Sequence, residues 1–594
     1  TMANSLTKIQ QGALASDAIA SDSQNNTVAG ANAGDSFSGT DATDNTLIGS
    51  NAGTAITTGD RNTAVGKSAL ATNTTANYNT AVGYEALELN TTGSENVAVG
   101  HKALEANTTA ANNTALGYYS LGANTTGADN TAIGKSALSA NTTASNNTAV
   151  GASALLANTT GSSNTAVGEE ALKSMTTTGN ATAIGWWAGR ANTSGERITA
   201  VGRATLHANT TGDNNTGVGA GALESNTTAG ENTAVGKWAL TTNTTGANNT
   251  SVGSESLRLN TTGGDNTAIG RNALASNTTA NNNTGVGHYS INSNTTGTQN
   301  NGLGVNTLTA NTTGGYNVAV GTNSLMANTT ASYNTAVGIN ALLANTTGTY
   351  NNALGSTSLD ANTTGSYNTA VGTETLSANT TSNWNTALGY RAGRDTTGPQ
   401  NTFLGVDAGV TNTSGQNNVF VGYDAGEANT TANGNTYLGF QAAASATSGG
   451  NNVAIGNNSG VDAVFSIGGH ADRIILGNNS NTNAYIKIDW TVTSDERDKT
   501  GIQDISTGLA FVNQLKPKSY WFRKERGSDV KHGSKRLGFL AQDILALEGS
   551  DPIIIDNEDT DNLKYKGEHL VPVLVNAIKE LSTKVTQLEE KLNG

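Results

Sequence analysis

From Asn45 to about Gly456, small, aliphatic and polar positions succeed one another in a phrase that returns every seventeen residues. It reads Asn62-Thr63-Ala64-Val65-Gly66, then Asn79-Thr80-Ala81-Val82-Gly83, then Asn96-Val97-Ala98-Val99-Gly100, and is still legible at Asn452-Val453-Ala454-Ile455-Gly456. The full unit, roughly N-T-A-V-G-x-x-A-L-x-x-N-T-T-G-x-x, occurs in twenty-five copies, and a single spacing of sixteen separates Asn385 from Asn401. So constant a period predicts identical coils stacked on one another, each placing its apolar residues where its neighbours place theirs. Seventeen residues are too few for two helices and a turn, and Gly, Asn and Thr weaken helix interiors. Each coil is therefore expected to hold two short strands and two corners. Val97 and Val99, or Val453 and Ile455, alternate around a small residue, which predicts a strand with a buried aliphatic face. Ala69-Leu70 and Ala86-Leu87 supply a second apolar layer. Thr74-Thr75-Ala76 and Thr91-Thr92-Gly93 turn the chain, with Asn73 and Asn90 bonding their own backbone.

The predicted object is an all-β rod, a thin parallel β-solenoid or β-roll. At about 4.8 Å per rung, twenty-five rungs span roughly 120 Å. The apolar fraction of 35% leaves each coil a small interior. Lateral association of copies would add core, and outward Ala64, Ala81 and Ala98 would let neighbours approach closely; a homotrimer is the expected state. Departures from the phrase are informative. Trp186-Trp187, Tyr118-Tyr119, Trp238 and Tyr289 follow the glycine of their coils, and Tyr316, Tyr333, Tyr350, Tyr367 and Trp384 recur at the repeat spacing as a ring ladder. Such a ladder is read as packing at a corner or between chains, or as a contact surface for a host glycan. No convergent acidic pair accompanies it, so glycan hydrolysis is not suggested.

Composition narrows the classes. Formal charge is −14, and 13% of residues are charged, which suits neither a nucleic-acid binder nor a charged disordered tail. With no cysteine there is neither disulfide nor thiolate metal site, and the rod is too poor in Asp for a calcium repeat. No metal or cofactor is expected. No run of 18 apolar residues exists, so membrane insertion is not expected, and Thr1 to Ser50 shows no signal-peptide pattern. Residues 1–44 lie out of register and read as a capping or attachment segment, with Leu14, Ala15 and Ile19 as a short apolar face near Lys8, Ile9 and Gln10. Residues 457–493 read as a β-rich closure, carried by Arg473-Ile474-Ile475-Leu476 and by Tyr485-Ile486-Lys487-Ile488-Asp489-Trp490. From Thr493 the composition changes: fifteen of the thirty-one basic residues fall after it, marking a separate domain. Its last segment is a predicted helix with Pro572 in the first turn. Leu574, Ile578, Leu581, Val585, Leu588 and Leu592 follow at heptad spacing, a coiled-coil seam whose residue types by the simplest rule fit a parallel dimer.

Ser494-Asp495-Glu496-Arg497-Asp498-Lys499 invites a mechanism, because a serine hydroxyl needs a base and lysine serves when burial favours its neutral form. By composition alone it is a polar surface loop. The segment Ser494-Asp495-Glu496-Arg497-Asp498-Lys499-Thr500-Gly501-Ile502, then Leu509, Leu515-Lys516-Pro517-Lys518-Ser519-Tyr520, then Leu537-Gly538-Phe539-Leu540-Ala541-Gln542-Asp543, resembles the C-terminal intramolecular chaperone of phage tail spikes and fibres, the S74 peptidase family that includes the endosialidase chaperone. Lys564-Tyr565 and the Leu570–Lys591 helix resemble its closing elements. The resemblance implies that residues 494–594 form a domain that trimerises, sets the register of the rod and then cuts itself off. Ser494 would be the nucleophile and Lys499 its base. Thr493-Ser494 would be the scissile bond, with Asp495 and Gln542 as supporting positions. In its N-T-A-V-G phrases the rod also resembles the head repeats of trimeric autotransporter adhesins. The chaperone resemblance favours a virion tail fibre, with tail or baseplate proteins and a host-surface glycan or protein as partners. A bacterial surface adhesin is the alternative, and a glycan depolymerase a third reading. A register device has a physical use here, since a slip of seventeen residues restores nearly every contact of such a rod.

Overall fold

In the computed structural model, residues 21–38, 41–462, 466–481, 484–485, 487, 493–524 and 526–594 are described. The apolar face drawn from Leu14, Ala15 and Ile19 lies outside them, as do Ile486, Ile488, Asp489 and Trp490 of the second closure strand. The chain divides into two units, Thr1–Asn385 and Thr386–Gly594.

The first unit is a parallel solenoid. In the coil that opens at Asn62, strand Thr63–Val65 pairs in register with Thr80–Val82 one coil on, Ala64 opposite Ala81. The same three-residue pairing recurs coil after coil through Asn352–Leu354 and Thr369–Val371. It also starts one coil earlier than the period suggests, because Thr27–Ala29 pairs with Thr46–Ile48. That coil has nineteen residues, so its extra turn length hides the register from a seventeen-residue reading while leaving the pairing intact.

Two expectations are corrected. Among the described residues each coil holds one strand, not two; the rest of the coil is turns. Ala64, Ala81 and Ala98 point inward and are fully buried, whereas Val97 is exposed and Val99 half-buried. The reason is the width of the coil. Its interior comprises Asn62, Ala64, Ala69, Leu70, Asn73 and Ala76, with Leu70 the one large apolar group, so the strand's inward position has room for a methyl and the bulk goes outside.

The turns are held as firmly as the strands. Ser68, Leu70 and Tyr78 adopt left-handed backbone (φ 57°, 54° and 60°), which costs an L-residue roughly 1–2 kcal/mol. Inter-coil bonds fix each of them: Ser68 N–H donates to Ser50 O (2.8 Å), Leu70 N–H to Ala86 O (2.9 Å) and Tyr78 N–H to Asp60 O (3.1 Å). Glycine is required at Gly66 (φ 138°), where a Cβ would lie 2.3 Å from Gly83 O.

Two buried asparagine ladders run through the coils. Asn62 Nδ2 donates to Asn45 Oδ1 (3.1 Å) and Ala76 O (2.9 Å), and Asn90 Nδ2 donates to Asn73 Oδ1 (3.0 Å) and Gly93 O (2.9 Å). A carboxylate in these places cannot donate, and an aliphatic residue leaves a neighbour unpaired. Met175 stands in one ladder position, and Asn158 Oδ1 in the coil before it has no partner. The expected bond of Asn73 to its own turn is present, through Nδ2 to Ala76 O (3.1 Å).

Asp360 is a carboxylate of the first unit whose contribution to stability changes with pH. Its Oδ1 is buried without a partner, and burial pushes its carboxyl above the usual range. The folded state therefore binds this proton more tightly than the unfolded chain. Stability falls as pH rises from the unfolded value through the raised one. Asp360→Asn is expected to raise the thermal midpoint at neutral pH and leave it nearly unchanged in mild acid; an equal shift at both pH values would sink the assignment.

The second unit begins with coils of the same kind, in which Thr386–Leu388 pairs with Thr402–Leu404 and onward to Val453–Ile455. One further strand, Ile474–Leu476, pairs with Val453–Ile455 across a longer coil. Here the core is repartitioned. Phe403, Phe420 and Tyr437 replace the inward alanine, and Gly409, Gly426 and Ala443 replace the leucine. Beyond lie, among the described residues, an antiparallel hairpin, Lys518–Arg523 with Lys531–Gly538, and three α-helices: α1 (Leu509–Val512), α2 (Ala541–Glu548) and α3 (Leu570–Asn593). Ile544, Ile554, Ile555, Leu570 and Val573 form a small core, joined by Phe511, Leu515 and Phe539. Glu548 ties its edge by accepting from the N–H groups of Ile553, Ile554 and Ile555. After Ala577 the helix buries nothing: Ile578, Leu581, Val585, Leu588 and Leu592 all stand exposed. Among the described residues no helix is long and apolar enough to cross a membrane.

Candidate functional site

The segment before α1 is shaped by its own side chains. Asp495 caps a short 3-10 turn, Glu496–Asp498, by accepting from Arg497 N–H (2.9 Å), and the Arg497 guanidinium grips the same carboxylate through Nε (3.0 Å) and an Nη (2.6 Å). Arg497 holds the Asp495 carboxyl below its usual range. The turn closes when Lys499 N–H donates to Glu496 O (3.1 Å), which brings the lysine side chain back over the serine. Lys499 Nζ donates to Ser494 Oγ (2.7 Å) and to Ser494 O (3.1 Å), and Thr493 Oγ1 donates to Asp498 (3.3 Å). Thr493, Ser494, Asp495 and Lys499 are thus gathered in one turn, with Asp495 engaged by Arg497 rather than by the serine. Gln542 is exposed on α2 and, among the described residues, bonds to neither Ser494 nor Lys499. A hydroxyl 2.7 Å from an amine has nucleophile–base geometry. All of it is solvent-exposed in a single chain, apart from the half-buried Asp495.

Tyr316, Tyr333, Tyr350, Tyr367 and Trp384 form the ladder that the spacing indicated. Successive centroids are 4.9, 4.9, 5.1 and 6.4 Å apart, with planes within 14° of parallel. Each side chain is 45–56% exposed. Tyr333, Tyr350 and Tyr367 have a ring against both faces, so they offer edges and hydroxyls outward, whereas sugar stacking needs an open face. Trp186 and Trp187 stack on each other (3.7 Å), and Arg190 lies over Trp187 (5.1 Å). The carboxylates of Glu85, Glu88 and Glu105 cluster within reach of one another, and Lys102 already bridges Glu85 (2.9 Å) and Glu105 (2.5 Å).

Sequence reading missed the outward strand face. The residue before each strand-closing glycine is Val, Ile or Leu in every one of the twenty-five copies, and the outward residue two places earlier is never charged. The structure turns this row outward, where Leu116, Ile184, Ile269, Leu303 and Leu354 are exposed. The signal was in the phrase itself: a fold that needed only a narrow interior would leave this position free to vary.

Compared with known families, residues 494–548 match the chaperone of endosialidase, a peptidase S74 domain, and the match opens at Ser494 itself. The chain therefore carries a C-terminal S74-type chaperone domain after a parallel β-solenoid rod, an arrangement consistent with tail-fibre and spike proteins. No curated protein matches the chain.

Proposed function

We propose that the chain is a subunit of a trimeric fibre of a phage virion that contacts the host surface, and that its C-terminal domain aligns three copies and then releases itself. The observation that carries this reading is the aliphatic row facing out of every coil. An exposed apolar stripe that long marks an interaction surface, and a row repeating in step with the coil is matched by another row of the same period. The exposed heptads of α3 offer the same copies a second, short seam. A register device is needed because the rod alone admits slipped pairings, while the non-repetitive C-terminal domain admits one alignment. Release would follow from Ser494 attack on the Thr493 carbonyl with Lys499 as base. A lysine acts as base when cover favours its neutral form, so a neighbouring copy seated over this exposed turn would couple cutting to assembly.

Native mass of the full chain tests the assembly, with three copies expected. Leu581→Asp with Leu588→Asp is expected to give single copies that stay uncut, while a single-copy wild type would remove the fibre reading. Recovery of the chain from purified phage particles separates a virion fibre from the alternative, a bacterial surface adhesin with the same chaperone.

A further inference from the structure

Resting on the proposed assembly, we propose that neighbouring copies meet edge to edge along the solenoid, the residue before each strand-opening asparagine of one chain against the residue after each strand-closing glycine of the next. If the outward strand face is covered by other copies, these two columns are its borders. Side by side in a parallel closed ring, one copy's first border meets its neighbour's second at the same height, because the contact is heterologous and identical heights coincide.

Three features of the borders fit such a seam. First, opposite charges share a level at Glu231 and Lys237 and at Asp265 and Arg271, all exposed, as they do at Asp129 and Lys135. Among the described residues no ion pair inside the chain joins the members of these pairs, and a three-residue strand lies between them in each case. Second, aromatic rings sit on one border at a time at most levels that carry any, the exceptions being Tyr78 with Tyr84 and Trp384 with Tyr390. Where the first border carries Tyr333 and Tyr350, the second carries Ile339 and Ser356. Where the second carries Tyr423 and Phe440, the first has Asn417 and Gly434. Third, the ladder rings occupy left-handed backbone (Tyr333 φ 62°, Tyr350 φ 57°), a conformation that Asn112 and Asn146 fill elsewhere in the same column with less strain. The fold does not require rings there, so their use is free to serve a contact. Two levels set like charges across the seam, Arg61 with Lys67 and Arg197 with Arg203; Arg61 is drawn toward Asp44 of its own chain (3.7 Å) and Arg197 donates to Asn214 (2.8 Å).

The chain has no cysteine, so paired cysteines report the seam directly. The full-length variants Tyr350→Cys/Ser356→Cys and Asp265→Cys/Arg271→Cys are oxidised and run on denaturing gels without reductant, beside Thr347→Cys/Ser356→Cys, whose first site is an exposed corner away from the border. Disulfides need Cα atoms within about 7 Å, so the matched pairs should convert most chains to a closed covalent trimer and the mismatched pair should leave them single. Native mass of the same samples separates the two levels of inference. Trimers without cross-links in the matched pairs, or equal cross-linking in the mismatched pair, overturn the seam and leave the assembly standing. Single copies overturn the assembly on which the seam rests. Retention on a neutral polysaccharide column that disappears in Tyr333→Ala/Tyr350→Ala, with cross-links absent, would assign the ladder to a glycan instead.

Discussion

Freshly made full-length chain is expected to separate into a piece ending at Thr493 and a piece comprising residues 494–594, and Ser494→Ala is expected to stay whole. Serine is placed for the attack by covalent proximity. In the proposed cut its Oγ would add to the carbonyl carbon of Thr493, the Thr493–Ser494 C–N bond would break, and the acyl group would pass to oxygen as an ester that water then hydrolyses. Lys499 Nζ, 2.7 Å from Oγ, would take the hydroxyl proton and return one to the departing amine. Neighbouring groups of this kind reach effective molarities of about 10⁵ M or more, which is why one turnover needs no elaborate site. Lys499→Ala removes the base and leaves the nucleophile, so its cut should slow by about 10²- to 10⁴-fold rather than vanish. Asp495→Asn acts through Arg497 and the shape of the turn; it should slow the cut less than Lys499→Ala. Intact mass over time reads all four chains. Cleavage of Ser494→Ala at the same bond and rate would remove the serine from the mechanism, and whole wild-type trimers would leave the domain a register clamp alone.

Most of the rod was legible because its period is a direct consequence of stacking: identical coils demand identical spacing, and Gly, Asn and Thr exclude helices at that length. What the period does not contain is which side of the strand faces in. Val-Ala-Val alternation is symmetric to a reading that assigns bulk to the core, and it was resolved by the space between Ala64 and Leu70, which depends on how closely the turn segment crosses beneath the strand. The second expected strand failed for a related reason. Ser68, Leu70 and Tyr78 look like ordinary strand or corner residues, yet neighbouring coils hold them in left-handed backbone through bonds that no single coil makes. The asparagine ladders were half-legible: Asn73 as a turn residue is local chemistry, whereas Asn62 bonding Asn45 is a property of the stack. The resemblance named Ser494 and Lys499 together, and the short turn that brings them together rests on Asp495 and Arg497, neither of which the spacing alone identifies as a clamp.

The repartitioned core of the second unit leads to the second large effect. Phe420→Ala should destabilise the solenoid by about 3–5 kcal/mol, and Gly426→Leu alone should cost about 1–3 kcal/mol or more through overpacking, yet the double variant should be close to wild type. A Cβ at Gly426 would stand 2.6 Å from the Phe420 ring, so the glycine is there to admit the phenyl group. Everywhere in the first unit that an inward alanine faces a leucine, the same space is filled from the other wall, and Leu70 holds the backbone conformation that Gly426 adopts (φ 54° against 62°). Restoring alanine and leucine together therefore rebuilds the coil that the chain uses elsewhere. The repair should be incomplete by about 1–2 kcal/mol, because Phe420 also stacks on Tyr437 (4.7 Å) and lies against Phe403 (5.4 Å), and an alanine cannot replace those ring contacts. Denaturant unfolding of the four proteins gives the coupling directly. Additive losses would mean that the two walls do not share one space, and that the narrow coil interior inferred from Ala64 and Leu70 does not extend to the end of the rod.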